Sequence, residues 1–156
     1  MKKQYVLFVI VALLASCSEK AKNDPEISAA TSIEGTWKLL TGTVIEKGDT
    51  TITDYTKDKS FIKIINDSHF AFLLHDLTKG KDSSSAEFSA GGGSYSVNGN
   101  TYTEHLEYCN AREWEGHDFS FTITISGDTL IQSGVEKIEA QGINRINTEK
   151  YVRVKE

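Results

Sequence analysis

The stretch "FSFTITISGDTLIQSG", residues 119–134, decides the fold class of this chain. Its first half alternates strictly between hydroxyl residues and large apolar residues, the latter being Phe119, Phe121, Ile123 and Ile125. Such a period of two predicts a β-strand with one buried and one wet face. The turn "SGD" follows, and a second strand-like run begins at Thr129. The stretch therefore predicts an antiparallel hairpin.

Two further hairpins are predicted upstream. "FIKII" (61–65) and "HFAFLLH" (69–75) flank the turn "NDS", and "SYSV" (94–97) and "TYTEHLEY" (101–108) flank "NGN". Asn98 and Gly99 supply the residue types that a tight turn needs. The opening "GTWKLLTGTVI" and the closing "EKYVRVKE" predict more strands, whereas "CNAREWEGHD" is irregular, with room for one helical turn.

These segments predict an all-β domain of roughly eight to ten antiparallel strands, mostly joined by short turns. We expect an up-and-down β-barrel, because closure removes the exposed edges of a sheet. A sandwich of two open sheets is the structural alternative. No segment has the length and periodicity of a true helix.

The N-terminal sequence predicts a targeting signal. Lys2 and Lys3 precede an apolar run that is too short to cross a bilayer but suits a secretory signal. "LASC" (14–17) resembles the bacterial lipobox, which implies acylation of Cys17 and cleavage before it. An ordinary signal peptide that ends beside a cysteine is the alternative. We thus expect a signal peptide at 1–16, an acylated cysteine and flexible tether at 17–32, and the barrel domain at 33–156.

Charge and cysteine content restrict the partners. The formal charge is −5, and the loss of Lys2 and Lys3 with the signal would make it −7, which argues against nucleic acid as a partner. We expect the lipid anchor to make the membrane contact, on a bacterial membrane of the cell envelope, the outer one in our interpretation. Its periplasmic and surface faces both remain open. Cys109 would be the only free thiol of the mature chain, either reactive or simply packed.

The ends of the domain resemble those of lipocalin-like barrels. Gly35-Thr36-Trp37 resembles the glycine-any-tryptophan motif that opens the first strand of that superfamily. Arg153, near the end of the last strand, has the position of the basic residue that packs over this tryptophan. The order of the middle segments is similar to that of small bacterial lipocalin-like domains of unassigned function. The resemblance implies a barrel with an internal cavity and names no ligand.

Glu104 is the candidate site residue, because the strand "NTYTEHLEY" places it on the face of Tyr102, Leu106 and Tyr108. A carboxylate on an otherwise apolar inner face suggests a polar anchor in a ligand pocket. We expect the ligand-binding walls to include Tyr95, Tyr102, Tyr108, Phe70, Phe72 and Phe121. The alternative is an internal pair with Arg112, Arg145 or the tyrosine hydroxyls, because an unpaired buried carboxylate would be costly.

No motif indicates catalysis, a metal site or a cofactor, so we expect a non-enzyme. The leading interpretation is a membrane-anchored envelope lipoprotein whose barrel binds a small, partly apolar ligand. The alternative is a solidly packed barrel that binds an envelope protein through its loops. Trp114 favours the alternative, because a tryptophan exposed in a loop is a common interface anchor, although it could also cap the barrel mouth.

Overall fold

A computed structural model of the chain describes residues 32–155. Nine strands make up this part of the molecule: β1 Gly35–Glu46, β2 Asp49–Asp54, β3 Lys59–Ile65, β4 His69–Asp76, β5 Phe88–Asn98, β6 Thr101–Cys109, β7 His117–Ser126, β8 Thr129–Ile138 and β9 Ile143–Arg153. Two single 3₁₀ turns, Arg112–Trp114 and Glu139–Gln141, interrupt the connections.

The strands form a closed antiparallel barrel. Each of β3 to β8 pairs with the next strand in sequence, and β1 pairs with β9 to close the ring. The first half of β1 pairs with β3 and its second half with β2, so these two short strands share one place in a barrel of eight strands. The predicted all-β barrel is confirmed, and closure through β1 and β9 rules out the open sandwich.

The three predicted hairpins are confirmed, and their turns have the expected chemistry. Gly99 and Gly127 have positive φ values of 61° and 55°, which residues with a Cβ rarely adopt. In the turn "NGN" only the glycine is left-handed among the described residues, so Asn98 does not share this role. The helical turn expected in "CNAREWEGHD" is the 3₁₀ turn at Arg112–Trp114.

One end of the barrel is closed by a tightly packed core. The side chains there that are fully buried include Trp37, Leu39, Tyr102, Leu130 and Tyr151. Arg153 lies over the Trp37 ring, with Cζ 4.0 Å from the ring centroid, and donates to the backbone carbonyls of Ser32 and Glu34. The Trp37–Arg153 contact expected from the lipocalin resemblance is therefore present. The contact ties the start of the domain across its closed end.

A bulge in β6 corrects one predicted position. Gly92 pairs with Tyr108 and Gly93 with Leu106, so Glu107 is the extra residue that reverses the facing of the strand. The prediction that Tyr108 lines the interior is wrong: its side chain is 68% exposed, and Cys109 points inward instead. A Cβ on Gly93 would lie 1.9 Å from the His105 carbonyl oxygen, so the bulge requires glycine here.

The predicted signal peptide, the predicted lipidation site Cys17 and the predicted tether up to residue 31 lie outside the described residues. Lipidation of Cys17 thus stays a prediction. No helix within residues 32–155 has the length and apolar character needed to cross a bilayer.

Candidate functional site

The half of the barrel opposite the packed core is hollow. A cavity of about 340 Å³ opens at this end, which lies where β1 and β6 finish and β7 begins. Its volume is within the range of small-molecule pockets. The cavity is lined by aromatic side chains on its walls and by charged and amide side chains on its floor and rim.

Four side chains form the floor of the cavity: Lys63, Glu104, Gln132 and Glu149. Together with Tyr151, which supports them from the core, we call them the polar floor. Lys63 Nζ donates to Glu104 Oε1 at 2.6 Å and to Gln132 Oε1 at 3.2 Å. Lys63 and Glu104 are only 3% and 7% exposed. A buried pair with this geometry is a charge-assisted hydrogen bond, which offsets the desolvation of both groups.

The polar floor continues across the neighbouring strands β8 and β9. Gln132 and Glu149 lie directly opposite each other in the sheet, and Gln132 Nε2 donates to Glu149 Oε2 at 2.7 Å. The Tyr151 hydroxyl donates to the same oxygen, also at 2.7 Å. Gln132 therefore bridges the Lys63 ammonium and the Glu149 carboxylate.

A second ion pair stands higher in the cavity, toward the rim. Glu136 and Arg145 face each other across β8 and β9, with Arg145 Nε 2.6 Å from Glu136 Oε2. Asn147 Nδ2 donates to the other oxygen of Glu136 at 2.8 Å. The Arg145 guanidinium also lies over the Trp114 ring, with Cζ 5.0 Å from the ring centroid. Arg145 is therefore held at the rim by its ion pair with Glu136 and its contact with the Trp114 ring.

Trp114 is not the exposed loop residue that the sequence suggested. It is half-buried, packs against Phe119 with ring centroids 5.6 Å apart, and lines the cavity. Its position agrees with a cap on the barrel mouth, the alternative to an interface anchor.

The structure divides the predicted ligand-binding walls between the two halves of the barrel. Glu104, Phe72 and Phe121 line the cavity. Phe70 and Tyr102 belong to the packed end, and Tyr95 packs against Tyr102 with ring centroids 5.3 Å apart. The side chains that line the cavity but were not predicted to do so include Tyr55, Phe61, Leu106 and Phe119. Ligand contact by any of these residues stays a prediction.

The predicted partners of Glu104 require correction. Arg112 lies outside the barrel, where its Nε is 2.9 Å from Glu115 Oε2, and Arg145 binds Glu136. The Tyr102 hydroxyl, although buried, has no hydrogen-bond partner among the described residues. Glu104 is paired internally, as the alternative held, but with Lys63, and it also lines the cavity.

Lys63 was missed because "FIKII" has apolar residues on both sides of it, so the alternation could be assigned to either face. A lysine in the middle of a predicted buried strand, opposite a lone carboxylate on another strand, is the signal that could have revealed the pair.

The polar floor shifts the ionisation of its members. Burial raises the pKa of the Glu104 carboxyl above its ordinary value, and the Lys63 ammonium opposes this shift. Burial and the adjacent Glu149 carboxylate raise the pKa of the Tyr151 hydroxyl well above its usual range. Burial and Glu149 likewise raise the pKa of Tyr55 on the cavity wall. The negative charge of Glu149 thus raises the pKa of ionisable groups both on the floor and on the wall of the cavity.

The remaining histidine, cysteine and acidic side chains form no second site within the described residues. His105 Nδ1 lies 2.5 Å from Asp118 Oδ1 on the outer face, where both side chains are exposed. Within residues 32–155 no three histidine, cysteine or acidic side chains are grouped as a metal site would require. Cys109 is a half-buried free thiol that lines the cavity.

The fold and the site define a class of protein, an antiparallel β-barrel that is packed at one end and hollow at the other. This architecture is compatible with a lipocalin-like fold and with either ligand binding or a structural role. No protein-family model matches the chain, and no curated protein is similar to it in sequence.

Proposed function

We propose that this protein is an envelope lipoprotein whose barrel binds a small, partly apolar ligand in the hollow half. The observation that carries this proposal is the cavity of about 340 Å³, with aromatic walls above a hydrogen-bonded polar floor. An apolar container with a few polar groups at fixed positions is the usual design of a small-molecule site. The proposal is of a binding protein and assigns no catalytic step.

The packing of the polar floor supports this proposal. Lys63, Glu104 and Gln132 are buried and joined by hydrogen bonds, so their polar atoms are positioned before any ligand arrives. Preorganised groups lower the entropic cost of binding. A ligand can then be oriented by the floor while its apolar part contacts the aromatic walls.

The start of the domain and the mouth of the cavity lie at opposite ends of the barrel. Ser32, where the described chain begins, lies at the closed end beside Arg153, and the cavity opens at the opposite end. If Cys17 is acylated, the tether attaches far from the mouth. We infer that ligands enter from the aqueous side of the envelope membrane that holds the anchor.

The alternative of a packed barrel that binds an envelope protein has lost its main support. It depended on an exposed Trp114, and this side chain packs on Phe119 and Arg145 at the mouth.

Uptake of a hydrophobic dye tests the proposal. We expect the protein to take up an environment-sensitive dye and to release it when lipid extracts of the envelope are added. Ala111 lines the cavity at its mouth, so Ala111→Trp should fill part of the space and reduce dye uptake at least about tenfold.

The matched control is Ala140→Trp, which adds the same side chain at an exposed position outside the cavity. It should leave dye uptake unchanged. Absence of uptake by the folded wild-type protein, or equal uptake by both variants, would contradict ligand binding in the lumen.

A further inference from the structure

The ionisable side chains that line the cavity do not balance in formal charge. Three carboxylates face it, those of Glu104, Glu136 and Glu149, against two cations, Lys63 and Arg145. Lys63 is paired with Glu104 and Arg145 with Glu136. Glu149 is therefore the one carboxylate of the cavity lining with no ion-pair partner among the described residues.

The hydrogen bonds of Glu149 leave one of its oxygens available. Both donors that reach this side chain, Gln132 Nε2 and the Tyr151 hydroxyl, bind Oε2. No described residue donates to Oε1. Because the two donors fix the carboxylate and Glu149 lines the cavity, a ligand in the cavity can reach a preoriented acceptor.

The walls around this acceptor suit a cation with an apolar body. Phe61, Phe72, Phe119 and Phe121 line the same cavity as Glu149, and so do Tyr55 and Trp114. Aromatic faces attract organic cations through their quadrupoles, and more strongly in a site that is shielded from water. An anionic ligand would meet the opposite conditions, since its charge would be added to an excess of carboxylate.

We propose that the ligand of the hollow half is a small organic amine, whose ammonium group binds Glu149 Oε1 while its apolar part contacts the aromatic walls. This inference rests on the proposed ligand-binding function and specifies its ligand class. The ammonium supplies the missing counter-charge, and the Lys63–Glu104 and Arg145–Glu136 pairs need not break.

Three probes that share a phenylethyl group and differ in charge test the proposal: 2-phenylethylamine, 2-phenylethanol and 3-phenylpropionate. Each is titrated into the full chain in a non-ionic detergent and followed by calorimetry. We expect the amine to bind at least about tenfold more tightly than the alcohol, and the carboxylate to bind most weakly. Ammonium chloride is a fourth probe, and we expect no measurable binding from it because it lacks the apolar body.

Glu149→Gln removes the charge and keeps an oxygen that can accept from Gln132 and Tyr151. In this variant the preference for the amine over the alcohol should disappear, while the alcohol binds as before. Glu139→Gln is the matched control, because Glu139 is exposed in the 3₁₀ turn after β8 and does not line the cavity. Circular dichroism checks that both variants fold, and Glu149→Asp, which keeps the charge, should retain a preference for the amine.

Several outcomes would overturn the amine assignment. They are equal binding of the three probes, preference for the carboxylate, an unchanged preference in folded Glu149→Gln, binding of ammonium alone, or no binding of the amine. Equal binding of the probes would still leave a ligand-binding cavity. Failure of the container itself is measured separately, by the absence of dye uptake in the wild-type protein.

Discussion

The two halves of this barrel are built by the same strands and differ in what faces inward. At the closed end the inner positions of β8 and β9 are Leu130 and Tyr151, both fully buried in the core. Two residues nearer the mouth on each strand, the inner positions become Gln132 and Glu149, and the cavity begins. A single barrel can therefore combine a packed half, which supplies stability, with a hollow half that carries polar groups.

The hollow half also reverses the usual alternation. On β8 and β9 the apolar side chains Ile131, Val135 and Ile146 are exposed, while Gln132, Glu136 and Asn147 are buried. Gln132 donates to Glu149, and Glu136 accepts from both Arg145 and Asn147, so these buried polar groups are satisfied. The reversal shows that the inner face here is organised around a polar cavity and not around a core.

The largest expected effect compares the same substitution in the two halves. Leu130→Ala leaves a void in the packed core and should lower the free energy of unfolding by about 4 kcal/mol. Leu106→Ala, beside the cavity, should cost about 2 kcal/mol, because it enlarges a space that already exists. Denaturant titration of both variants measures the difference. Equal losses would mean that the two halves are equally well packed.

A second, smaller effect concerns the buried ion pair between the halves. Lys63→Met leaves the Glu104 carboxylate buried without its cation and should cost about 3 kcal/mol near pH 7. The double variant Lys63→Met, Glu104→Leu should recover most of this loss, since it removes both charges. A double variant as unstable as Lys63→Met would show that packing, and not charge, determines the effect.

The same substitution should change the dependence of stability on pH. Burial raises the folded-state pKa of Glu104 above the ordinary value of 4.5. Protonated Glu104 therefore contributes to the free energy of unfolding. The contribution is complete below the ordinary pKa and is lost as the pH rises through the folded-state pKa. Without Lys63 the loss is larger, so Lys63→Met should be closer to wild-type stability at about pH 5 than at about pH 8. An unchanged deficit would contradict this assignment.

The smallest effect compares two buried tyrosines. Tyr151→Phe removes a hydroxyl that donates to Glu149 and should cost about 1 kcal/mol. Tyr102→Phe removes a hydroxyl with no partner among the described residues and should change stability by about zero or slightly increase it. Thermal or denaturant unfolding of the two variants measures this difference. Equal losses would contradict the assignment of the Tyr151 hydroxyl, and not that of Tyr102, to the polar floor.

The fold was accessible from the sequence because turns and alternation are local signals. Gly99 and Gly127 mark two of the hairpin turns, and the apolar positions from Phe119 to Ile125 define a face without any tertiary information. Glu104 could be nominated in the same way, as a carboxylate on an apolar face.

The rest of the site depends on contacts that the sequence does not encode locally. The Lys63–Glu104 pair joins residues 41 positions apart, and a bulge at Glu107 turns Tyr108 outward. Glu149 reads as a surface residue, because a polar residue on a strand is usually wet. Only the closure of β9 against β1 and β8 brings it into the lumen.

The most direct test of ligand binding in the hollow half is native mass spectrometry of the full chain, purified gently from the envelope of its source cell. The account predicts a discrete excess over the denatured mass that vanishes on denaturation and belongs to a small organic molecule. A native mass equal to the denatured mass, from protein that also takes up no hydrophobic dye, would contradict it.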